Sequence, residues 1–353
     1  MKNLIKALLL PLLLSIAVDS QSAPESVPDR ERGEGPYDRL ILRGVMVVNG
    51  EGAPPVGPMD VLIEGNRISE IRNLGLYQPV PEGKRIPVRD GDRVMELDGH
   101  YLLPGFVDVH AHFGGDAQGV SAEYVAKLWL AHGITTIREP GSFNGLDWVL
   151  AHKQRSAKNE IAAPRIVPYV GFGQVEKGPF LNEEDTRQWV RKIANQGASG
   201  IKFFGAPANI MRAALDEAGK QGLGSAMHHA QLDVVEWNVL DSARAGLSSM
   251  EHWYGLPEAM FEDKVIQHYP VDYNYSNEQH RFGEAGRLWA QTAKPGSDKW
   301  NQVRDELISL DFTINPTLTI YEASRDLMRE MNADWQQDYT PPSLWQFFQP
   351  SLI

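Results

Sequence analysis

The sequence predicts a parallel α/β fold that follows a small β module. Short β-rich runs separated by tight turns fill residues 38–98, which is typical of antiparallel strands. From residue 99 onward, apolar strand-like runs alternate with stretches that have the apolar spacing of helices, as they do in parallel α/β folds. Several of these helical stretches end in a glycine just before the next strand, which is common after a helix C-terminus: Gly133, Gly197, Gly222 and Gly246.

The chain begins with the features of a secretory signal peptide, predicted over residues 1–22. Lys2 and Lys6 precede an apolar run over residues 7–18, and small residues then offer a cleavage site. This run is shorter than a membrane span requires, so we expect cleavage rather than anchoring. The chain has no cysteine, which excludes disulfides and a cysteine-linked lipid anchor. We expect an exported protein, periplasmic or secreted, with a polar linker over residues 23–37.

Residues 38–98 predict the strands of the β module. A Gly65-Asn66 turn inside the segment 60–68 predicts a β-hairpin, because this dipeptide suits a tight turn between two β-rich runs. Three other β-rich runs are expected to form strands beside the hairpin: 40–42 and 45–48, broken by Gly44, and 94–97.

Residues 99–353 predict a barrel domain. Seven apolar runs are expected to form parallel strands: 101–109, 134–138, 165–170, 200–204, 224–227, 247–250 and 312–318. Helical spacing follows most of them, at 121–131, 184–195, 208–221, 232–245 and 323–332. The polar and aromatic segment 263–300 is expected to be an insertion after the sixth strand. Since eight strands close such a barrel, the expected fold is a (β/α)8 TIM-type barrel that lacks its eighth strand.

His110 and His112 come at the end of the first apolar run of this domain. Alternate residues of a strand face the same side, so both imidazoles should lie on one face. The carboxyl ends of barrel strands are where active sites are built, and imidazole nitrogen binds zinc and similar ions. The pair predicts part of a metal site, against the alternative of two solvated histidines after a strand.

Lys202 lies inside an apolar strand, where an unpaired ammonium group is costly to bury. Burial lowers the pKa of a lysine, and the neutral amine can react with CO2 to give an anionic carbamate, a metal ligand. The alternative is a lysine that extends its charged end out of the strand. Four histidines at other strand ends favour the ligand.

The fifth and sixth strands also lead directly into histidines. His252 follows the sixth strand, and His228 and His229 both follow the fifth. Adjacent residues of an extended chain face opposite sides, so one of His228 and His229 is expected to face the site. The remaining histidines are expected to be solvated.

Together these residues resemble the amidohydrolase superfamily. The motif PGFVDVHAHFG around His110, the lysine of the fourth strand and the histidines after the fifth and sixth carry the resemblance, which covers roughly residues 38–320. The phrase GITTIR at 133–138 and the Gly-Ile-Lys strand are similar to the imidazolonepropionase/prolidase-like branch. By the same resemblance, the β module is the N-terminal part of a composite β-sandwich.

The resemblance implies a site for one or two divalent metal ions, with zinc preferred. The implied ligands are His110 and His112 for the more buried metal, Lys202 as a bridging carbamate, and His229 and His252 for the second metal. His229 is slightly preferred over His228, because family members tend to have an alanine after this histidine, as Ala230 here. His228 is then an alternative ligand or a supporting residue.

The resemblance further implies an aspartate after an eighth strand, as a metal ligand and general base. This sequence has no candidate for it, because Asp311 precedes the seventh strand rather than following an eighth. The expectation is a C-terminally truncated sequence, and the catalytic base is left unassigned.

The expected function is metal-dependent hydrolysis of an amide-type C–N bond in a peptide, an N-acyl amino acid or a cyclic amide. Tyr169 and Tyr254 are expected, from their positions, to line the substrate pocket. The alternatives are a catalytically inactive metal-binding remnant and an exported small-ligand binding protein. A net charge of −12 without clustered Lys and Arg argues against nucleic-acid binding. We expect no membrane contact after signal cleavage, and homo-oligomerisation is left open.

Overall fold

A computed structural model describes residues 30–75, 79–174, 180–231, 234 and 237–347. The predicted signal peptide and residues 23–29 of the predicted linker lie outside these ranges, as do four residues of the predicted helix at 232–245. No helix within the described ranges combines the length and the apolar character that crossing a bilayer requires.

A five-stranded sheet forms the N-terminal region. Its strands are β1 (Arg39–Val47), β2 (Val56–Glu64), β3 (Arg67–Asn73), β4 (Arg93–Glu96) and β5 (Tyr101–Leu102). The predicted hairpin is confirmed, since β2 and β3 pair antiparallel around Gly65. β1 lies between β2 and β4 and also pairs parallel with β5. The described residues form one sheet here, so a sandwich stays a prediction.

Gly44 does not divide the first strand in two, as the sequence suggested. The chain continues through it as one strand, with a register shift between Leu42 and Val45 against β2. Gly44 has φ of +78°, and a Cβ there would come within 2.4 Å of the Asp98 Oδ1. Glycine is therefore required at this irregularity, because it alone combines the backbone freedom with the absence of a side chain.

Seven parallel strands form the second sheet, paired in chain order. They are β6 (Phe106–Asp108), β7 (Ile134–Pro140), β8 (Arg165–Gly171), β9 (Gly200–Phe203), β10 (Gly224–Met227), β11 (Ser249–Glu251) and β12 (Thr313–Asn315). All seven predicted strands are confirmed; four of them differ from the predicted bounds by one or two residues at an end, and two differ more. The predicted strand 101–109 is split between the two sheets at Pro104, and the predicted strand 312–318 ends before Pro316, because proline cannot donate a ladder hydrogen bond.

Helices connect these strands and follow the last one. Those between β6 and β11 are α1 (Ala122–Ala131), α2 (Leu146–Ala157), α3 (Glu183–Gln196), α4 (Ala208–Lys220) and α5 (Val239–Arg244). The segment between β11 and β12, which contains the predicted insertion, carries α6 (Leu256–Ala259), α7 (Glu278–Leu288) and α8 (Asp298–Ser309). After β12 come α9 (Leu318–Arg325), α10 (Leu327–Met331), α11 (Asp334–Tyr339) and α12 (Pro342–Phe347). The helix predicted at 323–332 is thus two helices that meet at Asp326.

The main core lies between the middle of the parallel sheet and the helices α3 and α4. Trp189 and Ile193 of α3 and Met211 of α4 pack with Ile201 and Phe203 of β9, and all five are buried. Burial of such large apolar side chains supplies most of the free energy that holds helices against a sheet. This packing fixes β9 and its neighbours, which carry the candidate site.

The parallel sheet is curled rather than flat. His110 follows β6 and His252 follows β11, which lies five strands away in the pairing order. In a flat sheet, five strand spacings would separate these residues by roughly 24 Å. Their ring centroids lie 5.1 Å apart, so curling brings the carboxyl ends of distant strands together.

Candidate active site

The carboxyl ends of six parallel strands, β6, β7 and β9 to β12, meet around one cavity of about 1140 Å³. The predicted site residues that line it are His110 and His112 after β6, Lys202 in β9, His228 after β10 and His252 after β11. The ring centroids of His110 and His112 are 5.4 Å apart, and those of His228 and His252 are 4.9 Å apart. The structure thus gathers four imidazoles and one amine from strands that are far apart in sequence.

Glu251 supports His110 from below the cavity. This carboxylate is fully buried, and its Oε2 lies 2.5 Å from His110 Nδ1 and accepts a hydrogen bond of 2.7 Å from Asn315 Nδ2. The Arg138 guanidinium donates to its other oxygen. Burial alone would raise the pKa of Glu251, but the His110 hydrogen bond and the charges of Lys202 and Arg138 lower it to about 2. Glu251 is therefore a fixed negative charge at the base of the site.

Glu139 supports His112 in the same way. It is fully buried at the end of β7, and its Oε1 lies 3.1 Å from His112 Nδ1. The backbone N–H of Phe113 donates to its other oxygen. Each histidine of the His110–His112 pair thus has its own carboxylate partner on Nδ1.

His252 is held by its backbone and by a hydroxyl. Its φ is +64°, in the left-handed region that few residues other than glycine adopt, and its Nδ1 lies 2.6 Å from Thr317 Oγ1. Thr317 itself has φ of +48°. Backbone strain of this kind is concentrated at functional sites, where surrounding structure holds it in place.

Lys202 is 2% exposed and, among the described residues, its side-chain ammonium group makes no hydrogen bond or ion pair. Burial lowers its pKa to about 7, while the charge of Glu251 partly opposes the change. A substantial fraction of Lys202 is therefore neutral near pH 7, as a reactive amine must be.

Three histidines of the cavity, His110, His228 and His252, also have lowered pKa values. Burial lowers the pKa of His110 against the raising effect of Glu251, and it lowers the pKa of His228 well below the usual value, with the charge of His252 adding to it. Burial, followed by the charges of Lys202 and His110, lowers the pKa of His252 to about 3. Neutral imidazole is the form that binds a metal.

His228, and not His229, faces the cavity. The His228 ring lies 5.9 Å from that of Phe204 and lines the cavity with His252. His229 is fully buried on the other side, where its Nε2 lies 2.7 Å from the Ser242 Oγ of α5. The sequence preference for His229 disagrees with this geometry, because the residues alternate in direction and α5 supplies a hydroxyl partner for the second one.

No family model matches the chain. It is 30% identical over 176 residues to an adenine deaminase of Deinococcus radiodurans, a match that covers 46% of this chain and 30% of that protein. It is 27% identical over 203 residues to a dihydroorotase of a Sulfurihydrogenibium species, covering 54% and 44% of the two chains. These two matches agree with the resemblance that the histidines and the lysine at the strand ends already indicated. The chain belongs to the amidohydrolase superfamily.

A solved hydrolase structure has a similar fold. The structure of molinate hydrolase superposes with a TM-score of 0.50 at 16% identity, covering 82% of this chain and 73% of that one. The matched segments span less than half the length of the two curated relatives. Among the described residues of this amidohydrolase chain, β6 and β12 are the two edges of the parallel sheet, and no eighth strand joins them.

Neither tyrosine predicted for the substrate pocket lines the cavity of this amidohydrolase chain among the described residues. Tyr169 of β8 packs against the backbone of β9 and β10, and the Arg138 guanidinium lies 5.1 Å from its ring centroid. Tyr254 is 1% exposed and lies behind His228, with the two ring centroids 5.0 Å apart. Burial raises the pKa of Tyr254 to about 12.

The side chains fit a divalent metal by type, and the chain's own contacts prepare them. Within the described ranges, no three His, Cys, Asp or Glu side chains converge on one point as bound ligands would. Three of the four cavity histidines, His110, His112 and His252, use Nδ1 for a hydrogen bond to a neighbouring side chain, which leaves Nε2 for a ligand. A carboxylate on the far nitrogen is the usual support of a metal-binding histidine in metalloenzymes.

Sequence reasoning missed the residues that hold this site together. Glu251 directly precedes His252 at the end of an apolar strand, and Glu139 is the last but one residue of β7, so both lie near the strand ends that singled out the histidines. Asn315 is likewise the last residue of β12, and Thr317 comes two residues after it. Polar side chains at every strand end, rather than metal-ligand types alone, would have indicated them.

Proposed function

We propose that this chain is a metal-dependent hydrolase of amide-type C–N bonds in a small molecule, such as a peptide, an N-acyl amino acid or a cyclic amide. The observation that carries the proposal is the gathering of four imidazoles and Lys202 around one cavity at the strand ends. Membership of the amidohydrolase superfamily supports it, since the matched relatives are named as an adenine deaminase and a dihydroorotase.

We propose His110, His112, His228 and His252 as the histidine ligands of one or two divalent ions, with zinc preferred. Lys202 would contribute as a carbamate: its neutral amine nitrogen forms a bond to the carbon of CO2 and releases one proton. The buried position and the lowered pKa of Lys202 support this step. Imidazole and carbamate oxygen are ligands that zinc accepts, although cobalt or manganese also suits them.

A divalent ion bound there would polarise the scissile carbonyl and lower the pKa of an attacking water molecule. The residues of the chain do the positioning. Glu251 and Glu139 orient His110 and His112, and apolar side chains, among them Trp129 and Phe282, line the cavity. The general base that the resemblance implies after an eighth strand stays unassigned.

The test is a metal analysis followed by a substrate screen on the purified chain. The protein is reconstituted with zinc, cobalt or manganese and offered N-acyl amino acids, dipeptides and cyclic amides, with release of the amine measured. We expect bound metal and hydrolysis of at least one class, both lost in the His110→Ala/His112→Ala double variant. Bound metal without turnover on any class would favour a non-catalytic metal-binding protein. Turnover that survives the double variant would contradict the proposed site.

We also propose that the protein is exported, on the strength of the signal-peptide features of residues 1–22. Fractionation of cells that express the full chain, with N-terminal sequencing of the product, tests this. We expect a shortened protein outside the cytoplasm, and an uncleaved protein retained in the cytoplasm would contradict the proposal.

A further inference from the structure

Two exposed phenylalanines lie at the ends of a row formed by the cavity imidazoles. Neighbouring ring centroids in this row are 5.4, 5.1 and 4.9 Å apart, in the order His112, His110, His252 and His228. The ring of Phe143 lies 6.0 Å from that of His112, and the ring of Phe204 lies 5.9 Å from that of His228. Both phenylalanines line the cavity, and the proposed hydrolytic function gives neither ring a role.

The exposure of these two rings does not come from an unpaired sheet edge. Phe143 is 67% exposed and follows β7, and Phe204 is 50% exposed and follows β9, and both strands pair on either side. The exposed side chains of Leu318 and Ile320 also line the cavity, but they follow the edge strand β12. Exposed aromatic rings beside a cavity and away from an open edge indicate a surface that a ligand covers.

Hydrogen bonds hold the backbone around both rings. On one side of Phe143, the Ser142 carbonyl accepts a hydrogen bond of 2.6 Å from the Gln174 side chain. On the other side, the Asn144 side chain donates to a backbone carbonyl of the loop after β6 at 2.7 Å. The Phe204 carbonyl accepts a hydrogen bond of 3.0 Å from a backbone N–H of the segment after β10. Rings on a backbone fixed in this way lose little conformational freedom when a ligand covers them.

The cavity wall between β7 and β9 carries few side chains. β8 lies between these strands in the sheet, yet none of its residues is among the described residues that line the cavity. Gly141 lines it just after β7, with φ of +90°, and a Cβ there would lie 3.4 Å from the Lys202 Cβ. The Lys202 Nζ in turn lies 5.7 Å from the centre of the Phe204 ring. Glycine therefore leaves room beside Lys202 that a side chain would take.

The charged side chains of the cavity are engaged elsewhere. Apart from the histidines, those among the described residues that line it are Asp108, Lys202 and Arg281. Asp108 accepts a hydrogen bond of 2.8 Å from a backbone N–H of the same loop, and Arg281 donates to a backbone carbonyl that precedes its helix at 3.4 Å. Lys202 is the proposed carbamate. The wall near the two phenylalanine rings therefore favours an apolar substituent over a charged one.

We propose that Phe143 and Phe204 bind an aromatic ring of the substrate beside the scissile bond. Covering the two exposed rings removes apolar surface from water, and aromatic rings also attract one another in offset or edge-to-face arrangements. The inference rests on the proposed function and selects among its substrates. It favours amides with a phenyl-type group next to the C–N bond over amides with a small or charged group there.

The test uses two pairs of ligands in which one phenyl ring is the only difference. Phenylacetyl-glycine and acetyl-glycine place the ring on the acyl side of the bond, and acetyl-phenylalanine and acetyl-alanine place it on the amine side. Binding to the purified chain, with and without zinc, is measured by calorimetry, and hydrolysis is measured separately. We expect the phenyl compound of at least one pair to bind about 10- to 100-fold more tightly, as burial of a phenyl group predicts.

Phe143→Ala and Phe204→Ala should each reduce this preference by about 3- to 10-fold, because each removes one of the two ring contacts. Phe106→Ala is the matched control, since Phe106 is 57% exposed but does not line the cavity, and it should keep the wild-type preference. If Phe204→Ala does not fold by circular dichroism, Phe204→Leu replaces it, with an expected reduction of about 2- to 5-fold.

Equal binding within both pairs, binding of no compound, or a preference that survives in the Phe143→Ala/Phe204→Ala double variant would overturn the inference. A preference that is lost in the double variant, without hydrolysis of any compound by the wild type, supports the inference and counts against the proposed function alone.

Discussion

At the scale of single residues, Glu251 connects more of the site than any histidine does. Its two oxygens contact His110 after β6, Arg138 of β7, Asn315 of β12 and Ser249 of its own strand. A buried carboxylate with four charged or polar partners resists both protonation and movement. The position of His110 therefore depends on a residue that is more than a hundred positions away in the chain.

Replacing Glu251 with Gln should weaken metal binding by about 10- to 100-fold, because the support of a metal-binding histidine is lost. Titration of the metal-free protein with zinc in competition with a chelator measures the affinity. Glu258→Gln is the control, since Glu258 is also a buried carboxylate but contacts Gly255 and Gln267 rather than a histidine. A Glu251→Gln protein that keeps wild-type affinity would show that His110 needs no such support.

The neighbours His228 and His229 should respond in opposite ways to the same change. We expect His228→Gln to lower zinc affinity by at least about 10-fold, because it removes a ligand from the cavity. We expect His229→Gln to keep the affinity and to lower the free energy of unfolding by about 1–2 kcal/mol, because the hydrogen bond to Ser242 is disturbed. Zinc titration and urea unfolding of both variants measure the two effects. The reverse pattern would return the ligand role to His229.

At the scale of elements, charged pairs help to hold α3 against α4. Glu217 of α4 is 4% exposed and forms ion pairs with Arg191 and Arg187 of α3 at 3.2 Å and 3.6 Å. Gln221, the residue that follows α4, donates a hydrogen bond to it. Burial alone would raise the pKa of Glu217, but the hydrogen bonds and the Arg191 charge outweigh it, and the net pKa is lowered. These helices cover β9, so their contact also positions Lys202.

Glu217→Gln should lower the free energy of unfolding by about 1 kcal/mol near neutral pH, as expected for a partly screened ion pair. Because the folded-state pKa lies below the unfolded value of 4.5, this stabilisation is present above that value and is lost as the pH falls through the folded-state pKa. Urea unfolding at about pH 7 and about pH 3.5 should therefore show a difference between variant and wild type that shrinks in acid.

Glu184→Gln is the control for this effect. Glu184 contacts Arg191 within the same helix, and its side chain is 63% exposed. We expect a loss of no more than about 0.5 kcal/mol from it. A loss from Glu217→Gln that does not depend on pH would mean that the packing of residue 217, rather than its charge, holds the two helices.

At the scale of the whole molecule, curling of the parallel sheet concentrates four imidazoles and a buried amine in one cavity. Lys202 is removed from water there and the imidazoles are partly buried, at a cost in free energy that a bound ion would offset. The same curl leaves apolar side chains of the two edge strands exposed, with Phe106 57% and Ile314 42% accessible. Because a bound ion would offset the cost of burying Lys202 and the imidazoles, its binding to the folded state should measurably raise the free energy of unfolding.

Zinc should raise the unfolding temperature of the wild type in a concentration-dependent manner. Free zinc at 100 times its dissociation constant should add about 2.7 kcal/mol to the free energy of unfolding, provided that the unfolded chain does not bind it. Differential scanning calorimetry with and without a chelator measures this. The His110→Ala/His112→Ala variant should show little of the rise, and identical unfolding temperatures for chelated and zinc-loaded wild type would contradict a metal site.

The sequence by itself determined the order and type of the elements that carry the site. Strand and helix periodicity, glycine at helix ends and the placement of His110, His112, Lys202 and His252 at strand ends are local signals, and parallel pairing in chain order brings such ends to one side. Membership of the amidohydrolase superfamily followed from the same residues. Local patterns did not predict that the segment 101–109 is divided between two sheets at Pro104. They also did not predict that one strand continues through Gly44.

Only the tertiary structure decided which side chains act together. His228 faces the cavity because α5 holds His229 on the opposite side, and His110 and Glu251 meet although 141 positions separate them. Arg281 reaches the cavity from a helix between β11 and β12 that no motif marked. The physical reason is that these contacts depend on the curl of the sheet and on the packing of distant elements. Neither the curl nor this packing produces a periodic pattern in the sequence.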